Sequence, residues 1–78
     1  MDIEVESEKA RLTRAELLIE KFEKQVAEQE KRIEEQRANG QQVGVSERFV
    51  QNFVEILSAW RYHRIQVLSR LEMLRHPG

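Results

Sequence analysis

Apolar residues recur every seventh position through the first half of the chain: Val5, Leu12, Ile19, Val26 and Ile33. Four of the five are β-branched. A heptad sustained over more than four repeats predicts a long helix packed on another helix, with these residues at the a positions. The d positions are weaker: Met1, Glu8, Ala15, Phe22, Gln29 and Gln36. The predicted seam is therefore well packed from Leu12 to Val26 and mixed toward position 40. Two readings of Gln29 and Gln36 stay open. They lie at a wet edge of the seam, or they fix register or oligomeric state as polar core residues can. Leu17 and Leu18 lie off the a positions and widen the stripe.

The second half has its own stripe, spaced alternately by three and four: Val50, Phe53, Leu57, Trp60, Arg64, Val67, Leu71 and Leu74. Phe49, Val54, Ile56, Leu68 and Met73 lie beside it. An apolar surface this broad exceeds what one partner helix covers.

Between the halves stands Asn39-Gly40-Gln41-Gln42-Val43-Gly44-Val45-Ser46, holding two of the three glycines. Gly40 suits the left-handed residue that closes a helix, with Arg37 in the last turn. Ser46 is read as the N-cap of the second helix, Val45 and Val50 as a hydrophobic staple, and Glu47 as a first-turn carboxylate. Two glycines in five residues disfavour one continuous helix. A connection this short returns the second helix antiparallel to the first. The prediction is one all-α domain over 1–78: an antiparallel, coiled-coil-like two-helix hairpin with helix 1 about 3–38, turn 39–45 and helix 2 about 46–76. Dimerisation into a four-helix bundle is expected. With the turn centred at 42–43, paired residue numbers should sum to about 85, which puts Arg64 opposite Glu20 and Glu23.

Composition narrows the function. Charged residues are 35% and aromatics 6%, as in coiled coils. There is no cysteine, hence no disulfide framework or thiolate chemistry. Neither a signal peptide nor an 18-residue apolar run is visible, so a cytoplasmic protein with no membrane partner is expected. Net charge is −1, which argues against bulk attraction to nucleic acid. It divides as −3 over residues 1–39 and +2 over 46–78. An antiparallel hairpin brings the acidic start (Asp2, Glu4, Glu6, Glu8) to the basic end (Arg70, Arg75, His76).

One cluster invites a functional reading: Arg61, His63 and Arg64 around Trp60 and Tyr62. Cations interleaved with aromatics could meet phosphates and bases. The structural alternative places Trp60 in the core and the arginines on helix-1 carboxylates. Lone histidines without convergent ligands do not make a metal site. No Glu-x-x-His, no Ser-base-acid set and no phosphate loop is present, so no enzyme and no cofactor is expected.

The stretch Val26-Ala-Glu-Gln-Glu-Lys-Arg-Ile-Glu-Glu-Gln-Arg37, followed by the glycine break and Val50, Phe53, Leu57, Trp60-Arg61, His63-Arg64, Val67-Leu68 and Leu71, resembles short rhizobial-type proteobacterial proteins of unknown function. The similarity spans roughly residues 22 to 71. It departs at Gln29, where that group tends to have Gly, and at Trp60, where it tends to have His. The resemblance implies a small helical hairpin and adds no catalytic residue. Two functions follow. One is a self-associating structural or protein-interaction module, a homodimer that could also meet another helical protein. The other is a small regulatory nucleic-acid-binding protein using the basic second helix.

Overall fold

The computed structural model describes residues 3–76. Two helices account for nearly all of them: α1 over Ile3–Ala38 and α2 over Gly44–Arg75. Neither glycine nor proline interrupts residues 3–38, and none falls between Gly44 and the end of α2, so nothing breaks either ladder. The helices lie side by side in a rod of 60 × 15 × 13 Å. At about 1.5 Å per residue, 36 residues span about 54 Å, so α1 alone sets the length.

The first helix ends as its sequence demands. Gly40 takes φ 71°, the left-handed region. Its N–H donates to the Arg37 carbonyl, and the Gln41 N–H donates to the Gln36 carbonyl. That pair of bonds is the Schellman closure, and glycine adopts it without a Cβ clash.

The start of α2 differs from expectation. The helix begins at Gly44, with Val43 as N-cap and no side-chain cap. Its first bond runs from the Glu47 N–H to the Val43 carbonyl, 2.8 Å. Ser46 therefore lies within the first turn, and its Oγ donates to Gln36 Oε1 across the hairpin, 3.0 Å. The staple is absent too, because Val45 is 74% exposed. The first-turn N–H groups of an exposed helix end can be satisfied by water. The serine is thus free to bond the other helix.

Ala15, Ile19 and Ile33 of α1 and Leu57, Val67 and Leu71 of α2 form the buried core. The remaining described seam positions, Val5 to Gln36 in α1 and Val50 to Leu74 in α2, are half-buried. The heptad reading holds on both helices. Of the weak d positions, Gln36 is tied to Ser46, which pins the helices near the turn. Glu8 has a side chain only 12% exposed, accepting from Arg70 Nε at 3.2 Å with Arg11 at 3.7 Å. A carboxylate this covered requires such partners.

Pairing is antiparallel, with a register near the expected one at some cross-helix contacts and below it at others. Residue numbers sum to 84 for Arg37–Glu47 and Arg61–Glu23 and to 78 for Arg70–Glu8. Phe22 and Phe53, with ring centroids 5.8 Å apart, sum to 75. The cause is the earlier start of α2, which moves the middle of the turn toward residue 41. The predicted meeting of acidic start and basic end is realised in Glu8–Arg70. Met1, Asp2, Pro77 and Gly78 lie outside the described residues.

Candidate functional site: the aromatic and basic segment of α2

Successive residues on a helix are turned about 100° from one another. Five in a row, Trp60 to Arg64, therefore circle the whole of α2. Trp60 sits half-buried on the seam, as does Arg64. His63 flanks the seam, its ring edge-on to Trp60 at 5.4 Å between centroids. Arg61 and Tyr62 point outward. The segment is contiguous in sequence and divided in space.

Its charge is also partly spent. Arg61 Nη2 donates to Glu23 Oε2 at 2.9 Å. Arg64 was expected to take Glu20 or Glu23; instead it makes no ion pair among the described residues. Arg61 projects on the flank that Glu23 occupies, whereas Arg64 faces the seam. Both partners of the Arg61–Glu23 pair are about half exposed, so the bond contributes little stability, about 0–1 kcal/mol.

Among the described residues no group of three or more His, Cys, Asp or Glu converges as metal ligands. His76 lies 3.5 Å from Glu72 with no further ligand. No helix there is long and apolar enough to cross a membrane. An open groove of about 420 Å³ lies at the end away from the turn, with Ile3, Met73 and Leu74 as its apolar part and Arg11, Glu8 and Arg70 at its edge. A second, about 360 Å³, sits beside Ile33, Val50 and the Arg37–Glu47 pair. Both open to solvent; the first also holds Ser7 and Glu4, and its Glu8 carboxylate is engaged by Arg70.

The more telling surface is apolar. Leu17, Phe49, Val54, Ile56, Ile65, Leu68 and Met73 are all exposed, as the breadth of the stripe implied. Leu18 is half-buried instead. Ile3 and Val45 join the exposed set. The chain exposes 6208 Å² in all. A compact monomer of 9.3 kDa exposes about 5,000 Å². Its radius of gyration, 17.8 Å, compares with about 11–12 Å for a compact chain of this length. No family model, curated protein or solved structure matches the chain.

Proposed function

We propose that the protein is a self-associating helical hairpin: a structural or protein-interaction module that dimerises into a four-helix bundle and presents a charged surface to another protein. The observation that carries this reading is the row of large apolar side chains that α1 leaves uncovered on α2. Each gains about 1.5–3 kcal/mol on full burial. Two helices share one seam, and six buried side chains among the described residues are a small core against the entropy of ordering the chain. Two-fold pairing is the commonest way for such a chain to complete its core.

The nucleic-acid alternative is weaker on these observations. Arg61 and Arg70 are engaged with Glu23 and Glu8, and Tyr62 lies off the face that Trp60 and His63 share. The test of the proposal is thermal unfolding across a hundredfold dilution. A dimer coupled to folding melts at lower temperature when dilute. A midpoint that stays fixed would leave the hairpin folding alone and refute the coupling.

A further inference from the structure

This inference rests on the self-association proposed above and names its face. Beside the core seam, α2 carries a second stripe with the same three-four spacing, running from Val45 to Met73. Helix α1 does not cover it: Val45, Phe49, Ile56 and Met73 are 74%, 52%, 40% and 69% exposed. We propose that this stripe pairs with itself in a second copy, α2 antiparallel to α2, about a two-fold axis at Ala59.

The argument is self-complementarity. Two-fold pairing about Ala59 sets Val45 against Met73 of the second copy, apolar on apolar. Phe49 falls opposite Ser69 and one residue from Arg70, near enough for an aromatic face to reach a guanidinium. Asn52 meets Gln66, two amides that can exchange hydrogen bonds. Ile56 falls opposite Tyr62 and one residue from His63, and Ala59 meets itself. A two-fold axis makes each pairing occur twice. No like charges oppose each other anywhere along the stripe. The smallest side chain falls at the axis, where helices must approach to about 8–10 Å.

Two of the polar members are already held in place. His63 stands edge-on to Trp60, and Arg70 Nε is bonded to Glu8, so little side-chain freedom remains to be lost on docking. The opposite flank of α2 carries Val54, Ile65 and Leu68 but meets a like-charge contact at its centre. Its two-fold axis would fall at Arg61, setting two guanidinium groups together and competing with Glu23. The facing flank of α1 is largely charged (Arg11, Arg14, Lys21, Glu28), which leaves α2 as the contact.

The chain has no cysteine, so single substitutions report without background. Under mild oxidation A59C should form covalent dimers at least tenfold faster than S58C, whose side chain is turned about 100° away. Mixed N52C and Q66C chains should link to each other and neither to itself. Circular dichroism of each reduced variant verifies the fold, and wild-type molar mass is measured alongside. A dimeric mass with S58C linking faster than A59C overturns this face while self-association stands. Self-linked N52C shows parallel helices and overturns the antiparallel axis. A monomeric wild type overturns self-association, and this face with it.

Discussion

Val67→Ala examines the core of the hairpin most sharply. Val67 is fully buried, whereas Ile65, two residues earlier on the same helix, is 60% exposed. The valine substitution removes two methyl groups, about 0.8 kcal/mol each in transfer terms. A residual void adds up to about 1 kcal/mol if the helices do not close over it, at about 24 cal/mol per Å³. The expected loss is about 1.6–2.6 kcal/mol. For a domain of this size, 1 kcal/mol lowers Tm by about 4–8 °C, so a drop of at least about 6 °C is expected. Ile65→Ala should cost about 0.5 kcal/mol or less, because its side chain gains little from the folded state and leaves no void. Both variants are measured by circular dichroism at one protein concentration, since association would otherwise shift Tm. Equal losses for the two would refute the packing described, because the seam would not then run through Val67.

Other expectations follow from the same geometry. Gly44→Ala should raise stability by about 0.5–1 kcal/mol, because residue 44 is helical and a Cβ there meets nothing within 4 Å. Gly40→Ala should lower it by about 1–2 kcal/mol, since φ 71° strains any residue with a Cβ; urea unfolding reads both. Gln29→Leu should stabilise by about 1 kcal/mol, placing an apolar side chain at a half-buried d position; no gain in Tm would mean that Gln29 makes contacts worth keeping. Glu8→Ala should cost about 0.5–1 kcal/mol at low salt and less at 1 M salt, as both arginines beside it are half exposed; a loss independent of salt would remove the electrostatic account.

The periodic residues made the hairpin legible. Five a positions, a glycine able to close a helix and a second three-four stripe all point to one antiparallel pair, and α1 spans the residues they imply. Local rules served less well where a tertiary partner competed. Ser46 has the chemistry of an N-cap, but Gln36 stands within reach only once the chain has turned back. The helix then starts earlier, while Glu23 takes Arg61 at a sum of 84, close to the expected register, and leaves Arg64 on the seam with no ion pair among the described residues. The 60–64 segment reads differently in space. Adjacency in sequence is not adjacency on a helix, so residues that read as a cluster spread around α2. The exposed apolar face was legible from the breadth of the stripe. Its self-complementarity emerges only when positions are compared about Ala59.

Self-association is the central claim, and molar mass by light scattering measures it directly. The account predicts twice the chain's 9.3 kDa at micromolar concentration, falling toward the single-chain value only on dilution. A mass of 9.3 kDa throughout would contradict it.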